Sequence, residues 1–405
     1  MDGVYVESDG IMPIKRGLLL LLLLSAVAFL LLSFAPGARQ KEIFPYDELC
    51  DYRMFVLPCM TSASPYSAPS VALRDACYPP IAYCAVKALA TDRGHQWSLS
   101  GGEVRLVLSL LVMQCIGAVM LVRKIPQRRW RFIAAAAILL SPACICTLLR
   151  GNPVGWAFAL VCLFLCWYRS ENFVKRIAAA VALGAATALK LSPCLFGCLY
   201  LSKGLFSAGW IPWKEVLVAA CSAVLLIFLP FLAFGGIESI LPWMSNADAN
   251  ATFYSVDNPL WGVAALANHL IDSKEVALPC IGRFAWATRA LAAVLIILGV
   301  SVRNDYRRLL YVGAAMAYVT HHDYGGVYLL PAFVVWLRES GDSRGRFGGV
   351  LLLLETVAWF FILTPFQIPN PCISGSLNAM LQNEFLFVLL AVSFVPLSVD
   401  KGCRE

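Results

Sequence analysis

Residues 17–35 read GLLLLLLLSAVAFLLLSFA and follow Lys15 and Arg16. A run of this length without charge matches the ~20 residues a helix needs to cross a bilayer core of ~30 Å. It is longer than the apolar core of a secretory leader and has no small-residue cleavage site, so it reads as a retained first span with a cytoplasmic N-terminus. Further apolar segments recur near 103–122, 131–148, 154–168, 177–189, 193–201, 214–234, 284–302, 308–320, 325–337, 347–364 and 377–396. The expected fold is all-α: a polytopic integral membrane protein of about 10–12 transmembrane helices, one domain over residues 1–405. At 60% hydrophobic and 14% charged residues, the chain has too little polar surface to cover a water-soluble globule of this size. Disordered and coiled-coil readings fall with the soluble one.

The charges orient the chain. Alternating sides from the first span puts 20 of the 32 Lys and Arg residues on short loops of one side, which the positive-inside rule makes cytoplasmic. This accounts for the net charge of +7 without a nucleic-acid partner. The expected location is the plasma membrane, with the segments 36–102 and 235–283 as long extracytoplasmic loops. Long ordered loops tend to carry function, whereas the short cytoplasmic hairpins leave no room for a site. The first loop is rich in aromatics, including Tyr46, Tyr52, Tyr66, Tyr78 and Tyr83. Within it, 81–89 is apolar but too short to cross, and Tyr78-Pro79-Pro80 precedes it. An interfacial or re-entrant helix is predicted there, with proline in the first turn, where no N–H is required. The fifteen cysteines show no paired metal-ligand spacing and read mainly as small core residues. Cys50, Cys59, Cys77, Cys84, Cys280 and Cys372 fall on the outer side, where one or two disulfides are compatible with the compartment.

Chemistry-bearing residues gather at the outer ends of the spans. Phe44-Pro45-Tyr46-Asp47-Glu48-Leu49-Cys50-Asp51-Tyr52-Arg53 brings three carboxylates within five residues, a candidate general-base cluster or, alternatively, an acidic helix start. Arg150-Gly151-Asn152-Pro153 turns between two spans, and its arginine reads as a phosphate ligand or a snorkelling side chain. Lys190 stands alone in the apolar stretch 178–201, facing either a polar cavity or the headgroups. His321-His322-Asp323-Tyr324 ends another span and suggests proton handling or leaving-group stabilisation, against a structural pair bonded to a turn. In the second loop Asp248, Asp257, Asn258 and Trp261 are candidates for a sugar groove, while Arg283 and Arg289 read as anion ligands or membrane anchors. Asn250-Ala251-Thr252 matches a glycosylation sequon and carries no weight, since so short a match arises by chance.

In chain order, Asp47, Tyr52, Pro65-Tyr66, Tyr78-Pro79-Pro80, Gly151-Asn152, the alanine-rich 185–189 ending in Lys190-Leu191-Ser192-Pro193, and His321-His322 form a series that resembles glycosyltransferase family 87, of the GT-C superfamily. The resemblance implies a GT-C-like helical bundle and a membrane hexosyltransferase, often a mannosyltransferase. Such an enzyme takes its sugar from a polyprenyl-phosphate carrier on the extracytoplasmic face and passes it, with inversion, to a lipid-linked or cell-envelope glycan. It implies Asp47 as general base with Asp51 as substitute. Lys190, Arg150, His322 and His321 then serve as phosphate or leaving-group ligands, and Tyr66, Tyr78, Asn152 and Asn258 line the groove. No cofactor or metal is expected, because a monophosphate carrier has less charge to neutralise than a nucleotide diphosphate. The partners expected are the bilayer, the lipid-linked donor and the acceptor. The alternative from another class is a secondary transporter of a small solute, disfavoured by the scarcity of charge in mid-span and the lack of matched broken helices in two halves.

Overall fold

The computed structural model describes residues 11–33, 49, 51–56, 66, 77–89, 100–206, 211–233, 235–256, 261–270, 274–320, 323–338, 348–364 and 377–395. Among these residues the structure is entirely helical. In chain order the helices are α1 (Ile11–Ser33), α2 (Pro80–Leu89), α3 (Gly101–Val122), α4 (Arg128–Leu139), α5 (Pro142–Arg150), α6 (Val154–Trp167), α7 (Phe173–Leu189), α8 (Cys198–Phe206), α9 (Trp213–Phe228), α10 (Ile240–Val256), α11 (Val263–Leu270), α12 (Lys274–Ser301), α13 (Asp305–Thr320), α14 (Leu330–Arg338), α15 (Gly348–Leu363) and α16 (Leu377–Ser393). A π-helical turn, Asp51–Val56, stands between α1 and α2. Each apolar segment picked out of the sequence is matched by a helix or a pair of helices.

Two kinds of helix build the bundle. Four stretches are long and apolar enough to cross a membrane by themselves: Met12–Phe29, Gly101–Val122, Trp213–Leu232 and Gly282–Ser301. Their outer faces expose large apolar side chains such as Leu21, Leu24, Val119, Leu217 and Ile297, as lipid contact requires. The inner helices are shorter. Helix α6 has 14 residues, α7 has 17 and α13 has 16. Along α13 nearly every side chain from Leu310 to Tyr318 is buried. Helices enclosed by protein need not match the hydrocarbon thickness, because their ends meet protein groups rather than lipid. Helix α7 packs on α6 and α9, α6 on α3, and α12 on α13. The α7–α9 crossing is close: a Cβ at Gly184 would lie 2.6 Å from the Ala219 carbonyl oxygen.

The segment 131–148, read from sequence as one span, is two helices bent by 52°. Ser141 caps α5, accepting from the Cys144 N–H, and Pro142 opens it, so the ladder of α4 cannot run through. Gln114, buried midway along α3, holds α5 in place by donating to the Cys144 carbonyl oxygen at 3.2 Å and to the Thr147 hydroxyl. The segment 235–283 is largely helical rather than an extended loop: it contains α10, α11 and the first turns of α12. Trp243 and Trp261 of this segment are buried in the bundle, whereas Ile237, Leu241 and Met244 are exposed. Helix α2 forms where the Pro-Pro start and short apolar run predicted it, burying Ala82, Tyr83 and Val86. Cys84, on this helix, is a free thiol.

Candidate functional site

The turn between α5 and α6 organises the site. Gly151 ends α5 in the left-handed conformation, φ +64°, which a residue with a Cβ adopts only with strain. Space excludes a side chain as well, since a Cβ there would meet Tyr52 Cβ at 3.0 Å and Leu49 Cδ2 at 3.2 Å. These two contacts belong to the turn that carries Asp51. The turn is pinned to the same helix end by the Leu49 N–H, which donates to the Leu149 carbonyl oxygen at 2.5 Å. Asp51 is thereby carried about one hundred residues along the chain to meet Arg150 and Asn152.

Both oxygens of the Asp51 carboxylate are engaged. Arg150 donates to Oδ1 from Nη2 at 2.6 Å and from Nε at 3.0 Å, and Asn152 Nδ2 donates to Oδ2 at 2.6 Å. Asn152 is fully buried and uses its whole amide. Its Oδ1 accepts from the Val154 N–H at the start of α6 at 2.9 Å, which leaves both Nδ2 hydrogens to donate, one to Asp51 and one to the Tyr78 hydroxyl at 2.9 Å. Charge-assisted bonds of this kind are the stronger class, and together they fix the carboxylate against its neighbours.

Lys190 completes the cluster from the far end of α7. It leaves the helix in an extended conformation just before the turn Ser192–Gly197. Its ammonium lies 4.8 Å from the ring centre of Tyr78 and 5.5 Å from that of Tyr324, so the lysine faces two aromatic rings. At this break between helices, burial pulls the ammonium below the ordinary lysine range, and the nearby Cys77 and Asp51 act in the opposite sense. A cavity of about 160 Å³ opens beside it, lined by Tyr78, Lys190, Ser192, Asn250, Val319 and Thr320 among others. Tyr78 and Lys190 thus belong to both the carboxylate cluster and the cavity.

Of the residues singled out from sequence, Asp51, Arg150, Asn152, Tyr78 and Lys190 come together. Tyr66 stands behind them: its hydroxyl donates to the Tyr78 carbonyl oxygen at 3.0 Å, and its ring packs on Tyr83 and Phe231, so it supports Tyr78 rather than lining the cavity. Asp47, Asn258, Asp257, His321 and His322 lie outside the described residues. Trp261 is buried in the bundle, and Asp248 is exposed on α10. Arg289 lies over the ring of Trp286, 5.2 Å from its centre, as an interfacial anchor does. Among the described residues, no three His, Cys, Asp or Glu side chains gather as metal ligands would.

The sequence reading missed the pair beneath Asp51. Arg53, on the same turn, makes a two-pronged contact with Glu103, Nε to Oε1 at 2.7 Å and Nη2 to Oε2 at 3.1 Å, and Glu103 is fully buried. Glu103 also closes a capping box with Ser100 at the start of α3. The spacing Ser100-Gly101-Gly102-Glu103 ahead of an apolar run was the available signal.

Residues 77–322 match glycosyltransferase family 87, and the chain belongs to that family. Searches of curated proteins and of solved structures returned no match. The matched region begins beside Tyr78 and takes in Arg150, Asn152 and Lys190. The protein is therefore a multi-pass membrane glycosyltransferase, which sets aside the transporter reading.

Proposed function

We propose that this glycosyltransferase moves a hexose, mannose by family likeness, from a polyprenyl-phosphate carrier to a lipid-linked or cell-envelope glycan, with inversion, on the extracytoplasmic face of the plasma membrane. The observation that carries the proposal is the convergence of Asp51, Arg150, Asn152 and Tyr78 beside a cavity into which Lys190 brings an ammonium. In the reaction, the acceptor hydroxyl oxygen bonds to the anomeric carbon as the carbon–oxygen bond to the carrier phosphate breaks. The hydroxyl proton passes to a carboxylate, and the carrier leaves as the phosphate anion. Asp51 takes the base role in this reading. Its Oδ2 accepts a single bond and keeps a lone pair, whereas Oδ1 is held twice by Arg150. Lys190 neutralises charge on the departing phosphate, with Arg150 as a second cation about the same carboxylate. The distribution of Lys and Arg supports an outward orientation for the Asp51 end of the bundle.

The test is transfer from radiolabelled polyprenyl-phosphate hexoses to lipid acceptors in membranes carrying wild type, Asp51→Asn or Asp47→Asn at matched expression. Loss of a general base costs typically about 10²–10⁴-fold. Abolition by Asp51→Asn with Asp47→Asn active supports the assignment, the reverse pattern moves the base to Asp47, and an inactive wild type across several donor sugars overturns the proposed donor class.

A further inference from the structure

A second cavity lies at the other end of the bundle. Helices α6, α7 and α13 each have one terminus at the carboxylate cluster, through Val154, Leu189 and Thr320. Their opposite termini border a cleft of about 380 Å³. Six cations line it, Arg123, Lys124, Arg169, Lys175, Arg308 and Arg338, against one carboxylate, Asp305, which leaves five positive charges uncompensated among the described lining residues. Asp305 is already shared: Arg169 Nη1 reaches its Oδ1 at 3.0 Å and Arg308 Nη1 reaches the same oxygen at 2.8 Å. Arg308 is 4% exposed, and its buried Nε has no hydrogen-bond partner among the described residues. The rest of the lining is apolar, with Leu165, Leu309, Val334 and Val335 on the walls.

A basic rim is expected wherever short loops meet the cytoplasm. A rim alone does not require the cations of five helix ends and their connections to converge on one cleft, nor a buried guanidinium edge with an unused donor. The walls are helix termini together with the first residues of the connecting hairpins, so the cleft has more depth than the short hairpins alone provide. Concentrated positive charge above apolar walls suits a ligand with a phosphate head and a hydrocarbon body. We propose that this cleft binds the headgroup of an anionic phospholipid from the leaflet opposite the carboxylate cluster. The phosphate sits among Lys124, Arg308 and Arg338, and the acyl chains leave along the apolar walls.

The experiment uses the purified full-length protein in a neutral detergent, titrated with phosphatidylglycerol or phosphatidylcholine, with retained lipid counted by native mass spectrometry. Lys124→Gln/Arg338→Gln removes two cations of the cleft. Arg128→Gln/Arg129→Gln removes two exposed cations that do not line it and reports on general attraction to a basic rim. The expected result is selective retention of phosphatidylglycerol, weakened about tenfold or more by the first pair and by less than about twofold by the second. Equal weakening by both pairs, or equal retention of the two lipids, overturns the proposal. Glycerol 3-phosphate displacing the lipid at equal concentration would assign the site to a soluble phosphate and also overturn it. None of these readings depends on sugar transfer, so they stand or fall apart from the proposed reaction.

Discussion

Replacing Asn152 by alanine removes three hydrogen bonds from one fully buried position: those donated to Asp51 at 2.6 Å and to Tyr78 at 2.9 Å, and the one accepted from Val154 at 2.9 Å. A bond to a charged group contributes about 1.5–3 kcal/mol and a neutral one about 0.5–1.5 kcal/mol. The local bond from the Val154 N–H is a further neutral one, at about 1 kcal/mol. The sum is about 3–5 kcal/mol, an upper figure because water entering the vacated space recovers part of it. Arg150 still holds Asp51 by Oδ1, so the carboxylate stays in the site but turns more freely about that contact. Misplacement on this scale lowers turnover by about 10²-fold. Asn152→Asp fares no better, since it keeps the acceptor for Val154 but sets two carboxylates against each other. The assay is initial transfer rate together with thermal denaturation of the purified variants. Tyr78→Phe removes the partner of the same amide, so the double variant should lose less than the two single losses combined. Additive losses, or an Asn152→Ala enzyme within threefold of wild type and equally heat-stable, would refute the role of this amide as the link between the two loops.

Gly151→Ala should lower thermal stability and transfer together, because the left-handed backbone and the Tyr52 contact at 3.0 Å both resist a Cβ. Wild-type melting would remove the packing argument. Glu103→Gln removes the carboxylate that grips the buried Arg53 guanidinium and should destabilise by about 1.5–3 kcal/mol, visible as poor recovery from detergent, while Arg53→Met/Glu103→Met recovers much of the loss. Lys190→Gln should raise the KM for the lipid-phosphate donor about tenfold or more while the acceptor KM holds. Unchanged donor kinetics would take the lysine out of the site.

Helix positions were legible because long apolar runs have few alternatives in a membrane, and the Pro-Pro start of α2 and the break after Leu189 were readable from Pro79-Pro80 and Ser192-Pro193. The bend at Ser141-Pro142 carried the same kind of signal in its proline, but the apolar continuity of 131–148 outweighed it and the segment read as one span. Arg150, Asn152 and Lys190 could be named from sequence as polar residues at span ends. Asp51 could be named as a carboxylate, but not its pairing with Arg150 and Asn152, because that depends on how the turn 49–56 docks on the end of α5, a long-range contact with no local signature. The Arg53–Glu103 pair shows the same limit: a capping motif gives the start of a helix but not the arginine that shares its glutamate.

The short inner helices bear on how the enzyme sits in its lipid. At 1.5 Å per residue, the 14 residues of α6 span about 21 Å and the 16 of α13 about 24 Å, less than the ~30 Å of a bilayer core. The lipid-facing α3, with 22 residues, spans about 33 Å. The enclosed helices are therefore shorter than the bilayer core that the lipid-facing α3 matches. In the proposed reaction, the phosphate of a carrier lipid approaching Lys190 would sink from the headgroup plane by part of this mismatch, without the hydrocarbon chain leaving the membrane. On that reading bilayer thickness enters catalysis, and thinner membranes should shorten the descent.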